Sequence, residues 1–445
     1  MSKSRQSKTK HLRRILAELP LYLSVSAIIH ILKCFPISFI HLTGKLLGRI
    51  AYISLKDYRN TALRNLALAY PEKTFAERQQ IAQKSFAHLG ITLLEILSVE
   101  RIAKKINNLI HIETESKRDP TFPATIISDL ELESIYQRLA KKEGLIAFCG
   151  HQANWELPFL FITKDYPGLA LAKTVKNQLL DKKICKLREL HKGKISSPKD
   201  GISKCLKALH QGNLVGIVGD QALLMSTYSY PLFGSEAWTT ISPAILAHRT
   251  SAPIIAVAVS REKHGYVLRP SPPFFIDKDL SPKEACSALM DKLMRFLEIG
   301  IRHRPEQWMW LHKRWKKKLP SSLKKKFSFS RILILLDENF SKEREVVLSR
   351  WITIFKGADI SVAAEDAHSR QLIADITSKH PETKISLLKD SSEIFSIPNT
   401  FEAVFDCTNN KALRRHLKKT GTNHAFPLAK KTTKELFSLT ESFLK

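Results

Sequence analysis

The sequence lacks the cysteine spacing that a structural metal site or a disulfide framework would require. Its six cysteines are scattered at positions 34, 149, 185, 205, 286 and 407, with no CxxC pair among them. Structural zinc sites and disulfide-rich domains bring their thiols in recognisable pairs. We therefore expect reduced thiols, a cytosolic setting and no metal ion. We also expect Cys149 to be a small buried hydrophobe rather than a nucleophile.

Acidic residues are scarce relative to basic ones. The 445 residues include 42 Asp and Glu against 71 Lys and Arg, which gives a formal net charge of +29. Such an excess predicts an anionic partner, either a membrane surface, a nucleic acid or an acidic protein. The basic residues concentrate in two segments, an N-terminal arm over residues 3–14 and a run over residues 313–326. With 44% hydrophobic residues, the chain still has enough apolar material for two or three folded domains.

The apolar run that follows the basic arm is short of a standard membrane span. It covers residues 19–32 and is ended by Lys33, whereas a helix needs about 20 apolar residues to cross a bilayer. No small-residue cleavage pattern follows it, so we do not expect a signal peptide. The pattern favours an interfacial or single-anchor helix with the basic arm on the cytoplasmic side. The alternative is a buried N-terminal core helix.

The pattern of apolar residues changes along the chain. Residues 12–110 have helical periodicity, whereas residues 124–318 alternate short strands with helices, and the strand candidates are 144–149, 214–218, 253–259 and 266–269. This alternation predicts an α/β fold with a mixed or parallel sheet flanked by helices. We expect residues 1–55 to form a basic, membrane-anchoring helical region and residues 56–318 to form the main domain.

A polar segment rich in Lys and Ser, 319–330, predicts a domain boundary. The remainder, 330–445, contains three strand candidates, 331–336, 358–363 and 384–388, separated by helical segments. We expect it to fold as a small accessory βαβ domain. It carries neither a GxGxxG nor a P-loop motif, so no nucleotide site is predicted there.

The segment from Gly150 to Glu156 holds the most informative residues of the chain. His151 comes directly after a predicted apolar strand, and Glu156 falls in the first turn of the helix that follows. With His151 in the loop, the two side chains can converge as a general base and an orienting carboxylate, next to backbone N–H groups that can meet an oxyanion. The alternative is a hydrogen-bonded loop histidine and a glutamate favoured by the helix dipole.

A second polar loop follows another predicted strand. Gly219, Asp220 and Gln221 come directly after residues 214–218, and ligands of α/β sheets bind outside the carboxyl ends of the strands. We therefore expect the two loops to meet over one site. For Asp220, a supporting role at the site and a turn-forming role both stay open.

Three motifs together resemble the late acyltransferases of lipid A biosynthesis. They are Gly150-His151-Gln152-Ala153-Asn154-Trp155-Glu156, then Gly219-Asp220-Gln221 followed by 232–239, and finally 306–316, which contains His312, Arg314 and Lys316. The upstream segment around Arg64 and Asn65 is similar to an N-terminal signature of that family. The resemblance covers residues 1–318, and the order and spacing of the motifs make it specific. The C-terminal segment, residues 330–445, faintly resembles the sugar-binding half of a two-domain glycosyltransferase.

The resemblance implies a glycerolipid acyltransferase-like fold at the bacterial inner membrane, with the catalytic domain facing the cytoplasm. The enzyme would move a fatty acyl chain from acyl carrier protein to a hydroxyl of a Kdo-linked lipid A precursor, without a cofactor. His151 would be the general base and Glu156 its orienting partner. Residues expected to contact the substrates are Asn154, Arg188, Asp220, Gln221, His312 and Arg314. The spacing after Arg188 departs from the family, so His191 and Lys192 are alternatives for its role.

Two other functions are compatible with parts of the sequence. The same His/Glu pair would serve an acyltransferase that acts on another glycolipid or a phospholipid and uses acyl-CoA. The charge and the tryptophans interleaved with basic residues near the end of the resemblance would also suit a nucleic-acid-binding protein. That second function is disfavoured, because no nucleic-acid-binding fold signature is present.

Overall fold

A computed structural model describes residues 2–197, 201–337, 342–364, 366–388, 390–408 and 410–445. For residues 2–16 and 342–344 only the backbone is described, so the side chains of the predicted basic arm lie outside the described part. The chain forms two compact units. The first contains residues 1–51, 83–221 and 239–309, and the second contains residues 52–82, 222–238 and 310–445.

Helices and strands alternate through most of the chain. The α-helices are α1 Ser2–Cys34, α2 Ile37–Ser54, α3 Lys56–Ala69, α4 Phe75–Leu97, α5 Val99–Ala103, α6 Ile106–Leu109, α7 Asp129–Ala140, α8 Leu157–Ile162, α9 Gln178–Arg188, α10 Gly201–His210, α11 Ser242–Thr250, α12 Pro282–His303, α13 Lys342–Ile354, α14 Ala367–Lys379, α15 Glu393–Ser396, α16 Lys411–Thr420 and α17 Thr433–Ser442. The strands are β1 Ile110–Ile112, β2 Leu145–Cys149, β3 Gly168–Leu171, β4 Gly193–Ser196, β5 Leu214–Val218, β6 Tyr228–Leu232, β7 Ser235–Thr239, β8 Ile254–Glu262, β9 Gly265–Pro270, β10 Arg331–Leu335, β11 Asp359–Ala363, β12 Lys384–Leu388, β13 Ala403–Asp406 and β14 His424–Pro427.

The first unit is built on a seven-stranded sheet with the order β1-β9-β8-β2-β5-β3-β4. Neighbouring strands are parallel except for β8 and β9, which form an antiparallel hairpin. The central strands β2 and β5 are paired in register, with Cys149 opposite Val218. The loops after these two strands therefore leave the same edge of the sheet side by side. The predicted mixed α/β architecture with flanking helices is confirmed.

Three helices of the first unit, α7, α9 and α12, begin at residues whose side chains cap the helix, namely Ser128, Asn177 and Ser281. Ser128 caps α7 and forms a capping box with Glu131, which satisfies free N–H groups at the helix start. Ile135 and Leu139 of α7 are buried against Leu145 of β2 and Leu214 of β5. This packing holds the two central strands, and hence the two loops, in place.

The N-terminal helices carry a broad exposed apolar surface. In α1, the window Ala17–Cys34 is long and apolar enough to cross a membrane, and most of it is exposed. On α2, one face exposes residues at helical spacing, namely Phe39, Leu42, Leu46, Ile50 and Ile53. The opposite face of α2 lies against α4, where a Cβ on Gly48 would come within 2.2 Å of the Phe86 carbonyl oxygen.

The second unit contains a five-stranded parallel sheet with the order β12-β11-β10-β13-β14. Alternate residues of β10 point to opposite faces. Ile332 and Ile334 pack in one hydrophobic core, whereas Leu333 and Leu335 pack in another. Both faces are therefore covered by helices, as parallel sheets require. The sheet has two strands beyond the three expected from the sequence, β13 and β14.

Residues 52–82 and 222–238 belong to the same compact unit, so the units cut across the expected boundaries at 55 and 330. The three-domain division stays a prediction.

Candidate active site

His151 stands at the carboxyl end of β2, in the first unit, where Gly150 makes room for the neighbouring loop. A Cβ on Gly150 would lie 2.5 Å from a methyl carbon of Leu297 and 3.0 Å from Oδ2 of Asp220. A larger residue would therefore push the two loops apart. Glycine at this position lets the loop that follows β5 approach the loop that follows β2.

Asp220 holds His151 through both its side chain and its backbone. Nδ1 of the imidazole lies 2.5 Å from Oδ1 of Asp220, and the backbone N–H of His151 donates to Oδ2 at 2.7 Å. The indole N–H of Trp308 donates to the same Oδ2 at 2.7 Å. The carboxylate is thus clamped by three donors, and the ring has one preferred orientation.

The charge state of Asp220 follows from these contacts. Burial alone would raise the pKa of its carboxyl, but the imidazole of His151 and the hydrogen bonds from His151 and Trp308 hold this pKa well below its usual range. An ionised carboxylate only accepts hydrogen bonds, so Nδ1 of a neutral imidazole carries the proton and Nε2 keeps the lone pair. The side-chain amide of Gln221 donates to Nε2 at 3.2 Å. In this tautomer Nε2 of His151 is the ring nitrogen that can accept a proton.

Glu156 has a different partner from the one expected. Nε of Arg188 donates to both carboxylate oxygens of Glu156, at 3.0 and 3.1 Å, and Nη2 donates to Oε1 at 2.6 Å. The expected orienting contact to the imidazole is made by Asp220 instead. The physical reason is that Asp220 leaves the adjacent strand end beside His151, whereas Glu156 precedes α8 and faces the last turn of α9. Among the three basic residues considered for this role, Arg188 contacts Glu156, whereas Lys192 donates to the Asp165 carbonyl oxygen.

Asn154 and Cys149 complete the surroundings of the loop. The Asn154 side chain is buried, accepts from the backbone N–H of Glu156 and donates to Glu95. Burial raises the pKa of the Cys149 thiol, and the charges of Asp220 and Glu156 raise it further. The thiol is therefore protonated at neutral pH, which argues against a nucleophilic role.

His312 and Arg314 belong to the second unit. The carbonyl oxygens of Trp310 and His312 accept hydrogen bonds from the Asn65 side chain, each at 2.7 Å. Arg314 is fully buried and donates to the Trp238 carbonyl oxygen at 2.8 Å. The guanidinium expected to contact substrate thus lies inside the protein, where it joins chain segments. Trp310 and Trp315 are buried as well, so their rings pack inside the protein.

Comparison of the sequence with known proteins identifies its family. The family model for bacterial lipid A biosynthesis acyltransferases matches residues 3–317. The chain belongs to this family. It is similar to a lipid A biosynthesis lauroyltransferase of Escherichia coli K12, with 27% identity over 290 residues, which is 63% of this chain and 86% of the relative. It is also similar to a lipid A biosynthesis palmitoleoyltransferase of the same strain, with 23% identity over 281 residues, 61% of this chain and 83% of the relative.

The match of this lipid A acyltransferase to the family includes both loops of the site, and the residues after 317 lie outside it. The predicted family and the predicted acyltransferase class are confirmed. Among the residues that the structure describes, no group of three or more His, Cys, Asp or Glu side chains is arranged to hold a metal ion. The ionisable side chains that the two loops and α9 bring to the site are an imidazole, two carboxylates and a guanidinium.

Several residues around the site are not marked by the sequence motifs. Trp308, which donates to Asp220, lies in a segment where tryptophans alternate with basic residues, and this pattern does not indicate a contact with Asp220. Glu95 and Arg261 form a buried ion pair beneath the loop, with 2.8 Å between Oε2 and Nη2. Glu95 lies within a helix that has a strong apolar pattern, and a charge inside such a pattern was the available signal, because buried charges are rare unless paired.

Proposed function

We propose that this acyltransferase moves a fatty acyl chain from the thioester of acyl carrier protein to a hydroxyl of a Kdo-linked lipid A precursor, at the cytoplasmic face of the bacterial inner membrane. The observation that carries the proposal is the pairing of His151 with the ionised Asp220. It supplies an oriented base at the open edge of the sheet, within motifs of a lipid A acyltransferase family.

His151 is the general base of the proposed reaction. A lipid hydroxyl has a pKa far above neutrality, so it attacks a thioester well only when a base takes its proton during the attack. Nε2 of His151 takes that proton, and Asp220 stabilises the imidazolium that forms. The C–S bond of the thioester then breaks, the acyl group stays on the lipid oxygen as an ester, and the imidazolium returns the proton to the sulfur of acyl carrier protein. The Gln221 amide, 3.2 Å from Nε2, marks the place where the acceptor hydroxyl would bind, and it must give way to that hydroxyl.

Glu156 and Arg188 serve the acyl donor in this proposal. The two-point contact with Glu156 fixes the plane of the guanidinium, and planar guanidinium groups are suited to oxyanions and phosphates. The side chain of Arg188 is about one fifth exposed, so a substrate can reach it. Arg188 is therefore proposed to stabilise the oxyanion of the thioester carbonyl or to bind a phosphate of the donor, and Glu156 positions it. Asn154 fixes the loop that carries His151 and Glu156.

The substrates and the membrane account for the charge and the apolar surface. Acyl carrier protein is acidic, and the acceptor carries phosphates and Kdo carboxylates, so a chain with net charge +29 attracts both. The exposed apolar face of α2 and the apolar half of α1 are proposed to seat the enzyme on the lipid surface. Basic residues near such a face favour anionic lipid headgroups.

The proposal is tested by replacing His151 with Ala and measuring acyl transfer in membranes that contain the lipid A precursor. Loss of activity is expected for H151A, while His264→Ala, at an exposed turn between β8 and β9, serves as the control and should retain activity. Wild-type activity in H151A would contradict the proposal. Competition between acyl carrier protein and CoA thioesters in the same assay identifies the donor, and preference for acyl-CoA would replace the donor named above.

A further inference from the structure

A buried carboxylate lies beneath the loop that carries His151. Glu95, in α4, is 1% exposed. Its carboxylate accepts from Nη2 of Arg261 at 2.8 Å, from Nδ2 of Asn154 at 3.1 Å and from the hydroxyl of Tyr266. Nε2 of His41 lies 2.7 Å from Oε1. Both oxygens are therefore saturated by groups from four different segments of the first unit.

The loop between His151 and Glu156 depends on this cluster for its shape. Ala153 has a φ of 45°, a left-handed conformation that costs free energy for a residue with a Cβ. Its carbonyl oxygen accepts from the Thr92 hydroxyl at 2.7 Å, and Nη2 of Arg261 donates to the same hydroxyl at 2.9 Å. The residue after it, Asn154, is the one that donates to Glu95. The strained turn is thus held at two consecutive positions by the Glu95–Arg261 pair.

The other side of the loop is fixed through the backbone of Arg261. The side chain of Gln307 accepts from the backbone N–H of Arg261 at 2.6 Å and donates to its carbonyl oxygen at 2.9 Å. The carbonyl oxygen of Gln307 accepts from the N–H of Ala153 at 2.8 Å. Arg261 therefore joins the loop through its side chain and through its main chain.

The cluster also reaches the membrane-facing helix α2. His41 extends from α2 to Glu95, and α2 approaches α4 closely, because a Cβ on Gly44 would lie 2.6 Å from the Cα of Ile91. Close backbone contact through small residues is a tight and specific form of helix packing. The same carboxylate thus contacts α2 and the loop of His151.

Stability alone is a poor explanation for this arrangement. Taking two charges out of water costs free energy, and apolar residues of similar volume often stabilise a fold as well or better. Burial alone would raise the pKa of Glu95, but Arg261, His41 and Tyr266 lower it to about 2. The carboxylate is therefore charged at neutral pH, and its partners come from α2, the loop, β8 and β9.

We propose that Glu95 is a positioning residue for acyl transfer, which acts through Asn154, Thr92 and Arg261 to hold the loop that places His151 and Glu156. This inference rests on the proposed function, because it assigns Glu95 to the reaction at His151. Glu95 itself does not touch the substrates. Removing its charge leaves Arg261 without a buried counter-ion and frees the strained turn at Ala153.

The test compares two buried Glu–Arg pairs of the first unit. Glu113 accepts from Nε and Nη2 of Arg269 at 2.6 and 2.9 Å, so Glu113→Gln is a matched control for the loss of a buried pair. We expect Glu95→Gln to lower kcat on the order of 100-fold, since small misplacements of reacting groups have such effects, with little change in KM. The control is expected to fall in stability but to keep kcat.

A reciprocal exchange separates positioning from simple destabilisation. In the double variant E95Q/N154D, the amide and the carboxylate change places. The hydrogen bond between positions 95 and 154 can then form again, with the amide of residue 95 as the donor and the carboxylate of residue 154 as the acceptor. We expect this variant to regain about tenfold in kcat over E95Q, the value of roughly one restored hydrogen bond. Denaturant titration of each variant reports stability independently of kcat.

The inference is overturned if folded E95Q keeps the wild-type kcat, if E113Q loses kcat to the same extent, or if the exchange variant recovers nothing. Should E95Q not fold, Thr92→Val removes only the hydroxyl that joins Arg261 to the loop, and it is expected to lower kcat about tenfold. An unchanged kcat in T92V would then overturn it. Full activity of H151A is a separate result, which contradicts the proposed function itself.

Discussion

Asp220 binds His151 at two points, the imidazole Nδ1 at 2.5 Å and the backbone N–H at 2.7 Å. The two residues leave adjacent parallel strands whose last residues, Cys149 and Val218, are in register. The His151–Asp220 pair therefore forms because the sheet places the ends of these two strands side by side. Asp220, and not Glu156, is therefore the carboxylate in contact with the imidazole.

Replacing Asp220 by Asn should nearly abolish acyl transfer. An amide NH2 facing Nδ1 would favour the tautomer with the proton on Nε2, and an oriented base of this kind loses on the order of 10³- to 10⁴-fold in kcat when its carboxylate becomes an amide. Steady-state kinetics of D220N measure the loss, with Asp277→Asn, at an exposed position of the first unit, as the control. A D220N enzyme within about threefold of wild type would show that the carboxylate does not orient the base.

Arg188→Lys should lower activity even though the charge is kept. A lysine cannot reproduce the planar two-point contact with Glu156, so the cation loses its fixed direction. We expect kcat/KM to fall about tenfold or more, because charge-assisted hydrogen bonds are worth roughly 1.5–3 kcal/mol. Lys186→Arg, on the same helix, is the control. Equal activity of R188K and wild type would contradict a role that depends on guanidinium geometry.

The exposed face of α2 should determine binding to lipid. Leu46 and Ile50 are each about half exposed on that face, and burying such side chains in an apolar phase contributes on the order of 1–3 kcal/mol each. The double variant Leu46→Glu/Ile50→Glu should therefore bind vesicles of phosphatidylethanolamine and phosphatidylglycerol at least about tenfold more weakly. Sedimentation with vesicles measures the binding. Leu130→Glu, at a highly exposed position of α7, should bind as wild type does, and equal loss in both variants would contradict the assignment of α2.

His88 should make the fold sensitive to mild acid. Burial lowers the pKa of this histidine, and Arg261 lowers it further, from 6.5 to about 3. The unfolded chain therefore takes up a proton between pH 6.5 and about 3 while the folded chain does not, so the free energy of unfolding decreases as the pH falls through this window. The decrease approaches about 1.4 kcal/mol per pH unit well below pH 6.5.

The variant His88→Asn should remove this part of the pH dependence. Urea titrations at pH 7 and pH 5 give the two free energies of unfolding for wild type and variant, and the difference between the two pH values should be smaller in H88N. An unchanged difference would mean that another group causes the acid sensitivity. His264→Asn, at an exposed turn, is the control and should behave as wild type.

Much of the fold follows from local patterns in the sequence. The strands at 145–149, 214–218 and 254–262 are apolar runs that end in Gly or in a polar turn. Such a pattern can be recognised from the local sequence without the tertiary structure. Strands β3 and β4 carried no such signal, because they are four residues long and begin with glycine. Strands β13 and β14 were missed for a similar reason, since each is short and lies next to polar loops.

The sequence indicates the two loops that carry His151 and Asp220 better than it indicates the contacts between their side chains. Both loops were expected at the carboxyl edge of the sheet, because the position after a strand fixes the edge at which a loop emerges. Which carboxylate contacts His151 depends on which strands are neighbours in the sheet. The sequence around Glu156 or Asp220 does not indicate this strand order. Spacing along the chain favoured Glu156, but strand order puts Asp220 beside the ring. The ion pair between Glu95 and Arg261 could not be predicted for the same reason, because the two residues are 166 positions apart in the sequence.

The most direct test of the central claim is mass spectrometry of lipid A from cells that lack this chain and are complemented with wild type or with H151A. The account predicts that loss of the chain removes one fatty acyl group from lipid A, that the wild-type chain restores it, and that H151A, expressed at the same level, does not. Unchanged lipid A in the deletion strain, or full restoration by H151A, would contradict the account.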